Sequence, residues 1–151
     1  MQDVVLCVLL AWAVTVAVID WRLRKVPNVL LLLLLVPAIV VLGWRGQGVN
    51  GAAPMASVYG LAAGFMLTLP GYAASKLGAG DVKLAAVMGF VLGWPAVAWM
   101  LIASALVLFV MSIGGLMVMG FAKAKTARIP AAVALSGGFA VVLLTQRGGW
   151  L

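Results

Sequence analysis

The stretch Gly78-Ala79-Gly80-Asp81-Val82-Lys83 places a carboxylate and an ammonium group in a chain that is otherwise strongly apolar. Charged groups inside a hydrocarbon layer are costly and usually mark a functional site. The glycines before Asp81 allow backbone, solvent or a substrate chain to come close to the acid. This stretch is therefore the first candidate for a functional site, and the fold is expected to be arranged around it.

The composition of the chain is that of an integral membrane protein. Of its 151 residues, 66% are hydrophobic and 9% are charged, whereas soluble domains are about 45–50% apolar and about 25% charged. The length allows about six spans of roughly 20 residues with short connections. The sequence therefore predicts an all-α, polytopic membrane helix bundle that forms a single transmembrane domain over residues 1–151.

Breaks that contain glycine, proline or charged residues divide the apolar sequence into six predicted helices. Their ranges are residues 4–19, 27–44, 55–74, 82–94, 96–121 and 129–145. The fourth is ended by Gly93-Trp94-Pro95 and rises only about 20 Å at roughly 1.5 Å per residue. Asp81 is therefore predicted to lie within the membrane plane or at the foot of a thinned, water-accessible cleft.

Two further patterns concern the packing of these helices. The third predicted helix contains Gly60-x-x-x-Gly64, a spacing that lets two helices pack backbone to backbone. The second contains six consecutive leucines, residues 30–35, which we expect to face lipid.

The distribution of basic residues predicts the orientation of the bundle, because cytoplasmic loops of membrane proteins carry an excess of lysine and arginine. An outside amino terminus leaves only Arg45 and Arg147 on the outer side. Asp20 and Asp81 both fall on the cytoplasmic side, and the net charge of +7 reflects orientation rather than a nucleic-acid partner. The cytoplasmic basic residues are then Arg22, Arg24, Lys25, Lys76, Lys83, Lys123, Lys125 and Arg128.

The residue types that are missing limit the chemistry. The chain has no histidine, a single cysteine, Cys7, and three acids, Asp3, Asp20 and Asp81. Zinc-ligand sets, Ser-His and Cys-His catalytic pairs and an internal disulfide are therefore excluded, and no metal or cofactor is expected. Any acid-base or hydrolytic chemistry must be carried by aspartates.

Asp20 and Asp81 can perform such chemistry as a pair. Two carboxylates held close together do not ionise independently, so one of them keeps a proton. The ionised member takes a proton from water as the water attacks a peptide carbonyl, and the protonated member donates to the carbonyl oxygen and later to the leaving amine. Coupled groups titrate as a pair, so the sequence does not decide which aspartate is protonated.

Three segments of the chain resemble one family. Gly78-Ala79-Gly80-Asp81-Val82-Lys83-Leu84 resembles the GxGD motif of membrane aspartic peptidases, in the GAGDVKL form of the type IV prepilin peptidases. Asp20, followed by basic residues and the Val26-Pro27-Asn28 step, resembles the first-aspartate segment of that family. Ile129-Pro130, with Gly137-Gly138 after it, resembles the family's closing helix.

The resemblance implies a function and a set of site residues. Asp20 and Asp81 would be the catalytic dyad of an endopeptidase in the bacterial inner membrane, with its active site facing the cytoplasm. The substrate would be a prepilin or pseudopilin with a short basic leader in the cytoplasm and an apolar helix in the membrane, and membrane lipid would be the other partner. The residues expected to bind the substrate or support the site are Gly78, Gly80, Lys83, Pro27 and Asn28.

The sequence also departs from the larger members of that family. They carry an amino-terminal cysteine-rich segment linked to N-methylation of the pilin, and this sequence has neither the segment nor its cysteines. It resembles the small TadV/CpaA-like form that serves Flp pili, so methyl transfer is not expected. Ala131-Ala132 stands where the family has an aromatic residue and a glycine, which weakens the case for a role of the sixth helix.

Other interpretations of the same residues stay open at the level of sequence. Asp20 could pair with Arg22 or Arg24 at a helix end, Asp81 could cap the fourth helix, and Lys83 could contact lipid phosphate. The two aspartates could instead carry protons in a small coupled transporter, or the chain could be an assembly subunit without enzymatic activity. For a peptidase, we also expect a resting state in which the fourth helix must shift to bring the acids together.

Overall fold

The computed structural model describes residues 2–23, 26–124 and 131–147, and the regular structure in these ranges is helical throughout. The predicted all-α bundle is therefore confirmed. The helices are α1 (Gln2–Leu23), α2 (Asn28–Arg45), α3 (Pro54–Ala73), α4 (Ala79–Leu92), α5 (Ala96–Ala124) and α6 (Ala131–Arg147). The predicted positions that fall outside the described residues are Arg24, Lys25, Lys125, Arg128 and the Ile129-Pro130 step.

Three helical segments within the described residues are long and apolar enough to cross a membrane, namely Asp3–Leu23, Asn28–Arg45 and Ala96–Gly114. A further apolar segment, Ala131–Gln146, is shorter. Helix α4 has 14 residues and rises only about 21 Å, against roughly 30 Å for a hydrocarbon core. The chain is thus a helical membrane protein that contains one unusually short helix, as the sequence predicted.

Helix α4 lies at the centre of the bundle. Its residues from Leu84 to Leu92 are buried without interruption, and it packs against α2, α3, α5 and α6. A helix that is apolar around its whole circumference is normally enclosed by other elements. It begins at Ala79 rather than at the predicted Val82, so Asp81 lies inside its first turn.

Helices α3 and α4 pack backbone to backbone. Gly60 and Gly64 are both buried on α3. A Cβ atom on Gly60 would collide with the carbonyl oxygen of Gly89, and one on Gly64 would collide with that of Ala85. The role in helix packing predicted for the Gly60-x-x-x-Gly64 spacing is confirmed.

Helix α1 is fixed against α6 and against the start of α2. The rings of Trp12 and Phe139 meet edge to face, with centroids 6.2 Å apart. The indole N–H of Trp12 also donates to the carbonyl oxygen of Leu30 at 2.9 Å. Helix α6 in turn packs on α5, where Gly138 lies so close to Ser104 that a Cβ atom would collide with its hydroxyl.

The leucine run in α2 is only partly exposed. Leu31 and Leu34 are buried, as is Ala38 one turn further on, whereas Leu32 and Leu33 are exposed. The expectation that the whole run faces lipid is wrong, because a helix turns about 100° per residue and places positions i, i+3 and i+7 on one face. One face of α2 therefore contributes to the core.

The start of α3 and the ends of α4 and α6 lie at one end of the bundle. The backbone N–H of Trp94 donates to the carbonyl oxygen of Ala56 at 2.9 Å. The side-chain amide of Asn50, between α2 and α3, donates to the side-chain oxygen of Gln146 near the end of α6. Since α6 begins at Ala131, its first turn lies at the opposite end.

Candidate active site

Asp20 is buried in the last turn of α1. Its side chain is 5% exposed, and it continues a buried stripe formed by Trp12 and Val16. Positions i, i+4 and i+8 lie on one face of a helix, so the same periodicity that packs Trp12 against α6 also directs the carboxyl group of Asp20 into the protein. This acid is therefore part of the α1–α6 contact, whereas Arg22, two residues later, is exposed.

The carboxyl group of Asp20 is held by the first turn of α6. The backbone N–H groups of Ala132 and Val133 donate hydrogen bonds to it. N–H groups in the first turn of a helix have no acceptor within the helix. The carboxyl group of Asp20 accepts hydrogen bonds from these N–H groups of α6, as the side chain of a local N-cap residue would. Its Oδ2 atom is buried and has no hydrogen-bond partner among the described residues.

Asp81 is held by the first turn of its own helix. Its Oδ2 atom accepts a hydrogen bond of 2.9 Å from the backbone N–H of Gly78, and its own N–H donates to the carbonyl oxygen of Gly78 at 3.0 Å. The side chain is partly exposed. Gly78 is the N-cap of α4, and Asp81, at the third helical position, accepts from the N–H of this N-cap as in a capping box. The hydrogen bond also fixes the orientation of the carboxylate.

The two aspartate segments meet through Gly80 and Val26. A Cβ atom on Gly80 would lie 3.4 Å from the Cβ atom of Val26 and 3.7 Å from its carbonyl oxygen. Val26 precedes Pro27, the N-cap of α2, and the carbonyl oxygen of Pro27 accepts from the N–H of Leu30 at 3.1 Å. The end of α1 and the starts of α2, α4 and α6 therefore lie at the same end of the bundle, which we call the aspartate end.

The remaining predicted residues are distributed around the aspartate end. Gly78 is the N-cap of α4, and Asn28 is the first residue of α2 and is exposed. Lys83 is exposed, while Asp81 is partly buried. Lys83 is two residues after Asp81, and helical residues at this spacing point about 200° apart. Lys83 therefore lies on a different face of α4 from the carboxylate, as predicted.

The start of α6 is the part of the site that sequence reasoning missed. Ala131-Ala132 departs from the pattern of the resembled family, yet Ala132 supplies one of the N–H groups that hold Asp20. A backbone donor leaves no signal in side-chain chemistry. The available signal was the small side chains at a helix start, which let a neighbouring helix approach the free N–H groups.

The polar groups that the structure shows in contact at the aspartate end are carboxylates and backbone N–H groups. Within the described residues, no group of three or more histidine, cysteine, aspartate or glutamate side chains comes together as a metal site would require. Each aspartate is fixed by the amino-terminal turn of a different helix, α6 for Asp20 and α4 for Asp81. Such an arrangement orients the two carboxyl groups independently of each other.

The fold and this site define a helical membrane protein with two separately held aspartates at one end of the bundle. The sequence profile of the type IV leader peptidase family matches residues 7–117, a range that contains both aspartate segments, and the chain belongs to that family. Comparisons with curated proteins and with solved structures gave no match. The family match ends before α6, so the contact between α6 and Asp20 is known from the structure alone.

Proposed function

We propose that this protein is an aspartic endopeptidase of the bacterial inner membrane that removes the short basic leader of Flp-type type IV prepilins. Asp20 and Asp81 form its catalytic dyad, and pseudopilins of the same design belong to its substrate class. The observation that carries the proposal is the contact of Gly80 with Val26, which brings the two aspartate segments to one end of the bundle. Membership of the type IV leader peptidase family supports the same assignment.

In the proposed reaction, the two carboxyl groups share the acid and base roles. The ionised carboxylate takes a proton from water while the water oxygen bonds to the carbonyl carbon of the scissile peptide. The other carboxyl group gives its proton to the carbonyl oxygen, which produces a tetrahedral diol. Collapse of the diol breaks the C–N bond, and the leaving amine takes a proton from the dyad.

Three exposed basic residues support an orientation with the aspartate end in the cytoplasm. Arg22 ends the apolar part of α1, Lys76 follows α3, and Lys83 lies near the start of α4. Lysine and arginine are enriched on the cytoplasmic side of membrane proteins. In this orientation the leader of a prepilin reaches the dyad from the cytoplasm, and its extended backbone lies along the glycine-rich residues 78–80.

The experiment is co-expression of the protein with an Flp-type prepilin, with maturation followed as a shift in electrophoretic mobility. Asp20→Asn and Asp81→Asn are each expected to abolish maturation while the variant protein stays in the membrane fraction. The matched control is Asp3→Asn, which removes the third acid at the opposite end of α1 and is expected to process the pilin normally. Normal maturation by either dyad variant would falsify the dyad, and would favour a transporter or assembly role for these residues.

A further inference from the structure

One stripe of α6 faces α1. Ala132 and Phe139 belong to it, because the N–H of Ala132 binds the carboxyl group of Asp20 and the ring of Phe139 packs against Trp12. Ser136 lies four residues after Ala132 and three before Phe139, and positions i, i+4 and i+7 share one face of a helix. Ser136 therefore lies on the side of α6 that faces α1, one turn further into the bundle than the N–H of Ala132.

The hydroxyl group of Ser136 differs from most other helical hydroxyl groups in this protein. Ser136 is 4% exposed, and its Oγ atom is buried without a hydrogen-bond partner among the described residues. Within the described ranges, the hydroxyl group of Ser57, at the end of the bundle opposite the aspartates, shares this property. The hydroxyl groups that donate to the carbonyl oxygen four residues earlier in their own helix are those of Thr15, Thr68, Ser104, Ser112 and Thr145.

A buried hydroxyl that is not satisfied by its own helix is costly, since leaving such a group unpaired costs on the order of 1–3 kcal/mol. Within the same α1–α6 contact, Oδ2 of Asp20 is also buried and unpaired. Buried water in proteins typically binds to polar groups of this kind, which are otherwise unsatisfied.

We propose that Ser136 is a third polar residue of the active site and that its hydroxyl group and Asp20 Oδ2 together bind the attacking water. This inference rests on the proposed peptidase function. Ser136 transfers no proton in the reaction. It orients the water so that a lone pair faces the peptide carbonyl, while the proton of the water passes to the ionised carboxylate of the dyad.

The test uses the full-length protein, purified in detergent or reconstituted in lipid vesicles, and a purified prepilin. Ser136→Ala and Ser136→Cys remove the strong donor, and the cysteine keeps nearly the size of serine. The loss of one buried hydrogen bond predicts a fall in kcat of about 10-fold with little change in KM. Ser136→Thr retains a hydroxyl group and is expected to keep most of the wild-type kcat.

The matched control is Ser104→Ala. Ser104 is equally buried, but its hydroxyl group donates to the carbonyl oxygen of Met100 in its own helix, so wild-type kcat is expected. Wild-type kcat in Ser136→Ala and Ser136→Cys overturns the proposal, and so does an equal loss in Ser136→Thr or in Ser104→Ala. If Asp20→Asn and Asp81→Asn are inactive while the Ser136 variants match wild type, only the role of Ser136 is wrong. If the aspartate variants still cleave prepilin, the peptidase proposal itself is wrong.

Discussion

Gly80 lies against Val26, and this contact joins the two halves of the candidate active site. Gly80 comes directly before Asp81 at the start of α4, and Val26 follows α1, the helix that carries Asp20. A Cβ atom added to Gly80 would meet Val26 at an ordinary van der Waals distance, so Val26 and the GxGD segment are close neighbours. The two aspartate segments are therefore neighbours where the residue before Pro27 meets the first turn of α4.

This contact predicts a disulfide. A Cβ atom on Gly80 would lie 3.4 Å from the Cβ atom of Val26, and the two Cβ atoms of a disulfide are about 3.5–4.5 Å apart. In a Cys7→Ser background, Val26→Cys combined with Gly80→Cys is expected to cross-link on mild oxidation, measured as loss of two titratable thiols. The control pair is Val26→Cys with Gly43→Cys, near the opposite end of α2, and it should keep both thiols. Equal thiol reactivity in the two pairs would contradict the fold at this point.

Asp20 is expected to contribute to stability as well as to catalysis. Asp20→Ala leaves the N–H groups of Ala132 and Val133 without their acceptor, and unpaired buried donors cost about 1–3 kcal/mol. Asp20→Asn keeps a carbonyl oxygen for them and is expected to unfold close to the wild-type midpoint. Denaturant titration of the detergent-solubilised variants measures the difference. An alanine variant as stable as the asparagine variant would show that α6 does not depend on this carboxyl group.

Gly78 and Gly80 are expected to affect different kinetic parameters. A Cβ atom on Gly78 would lie 3.1 Å from Oδ2 of Asp81, which is tight enough to displace the carboxylate, so Gly78→Ala should lower kcat by about 5- to 10-fold. A Cβ atom on Gly80 meets Val26 at an ordinary contact distance, so Gly80→Ala should fold normally. If the leader lies along this segment, Gly80→Ala raises KM and leaves kcat near wild type. Steady-state cleavage of a purified prepilin measures kcat and KM separately. A loss of kcat in both variants would contradict the different roles predicted for the two glycines.

Gly60 is expected to be intolerant of any side chain. The methyl group of Gly60→Ala would collide with the carbonyl oxygen of Gly89, and overpacking of this kind costs about 1–3 kcal/mol. We expect a lower unfolding midpoint and slower pilin maturation, because α4 carries Asp81. The control is Gly43→Ala, since a Cβ atom on Gly43 has no neighbour within 4 Å. Equal stability of both variants would show that α3 and α4 do not pack backbone to backbone.

The sequence was sufficient for the parts of the fold that depend on local pattern. Apolar runs separated by breaks predicted the helices, and the break at Gly93-Trp94-Pro95 predicted that α4 is short. The small-residue spacing at Gly60 predicted close helix packing. These features follow from composition and periodicity, which a single sequence displays directly.

The contacts of Asp20 could not be predicted in the same way. Its partners are backbone N–H groups of α6, a helix that is distant in the chain and whose own residues at that point are alanine and valine. The prediction that the whole leucine run of α2 faces lipid failed for a related reason. Which of two apolar helix faces meets the core depends on the neighbouring helices rather than on hydropathy. The amino-acid composition was enough to predict that aspartates are the candidate catalytic residues. Which helix ends bind these aspartates depends on tertiary packing.

The enclosure of α4 determines how the bilayer acts on the enzyme. A change in membrane thickness is transmitted to helices whose side chains touch acyl chains, and these tilt to match it. Exposed apolar side chains of that kind are carried by α1, α2 and α5, for example at Val14, Leu33 and Phe109. From Leu84 to Leu92, α4 presents none. We therefore expect the depth of Asp81 to depend on the helices that surround α4 rather than on the length of the lipid chains.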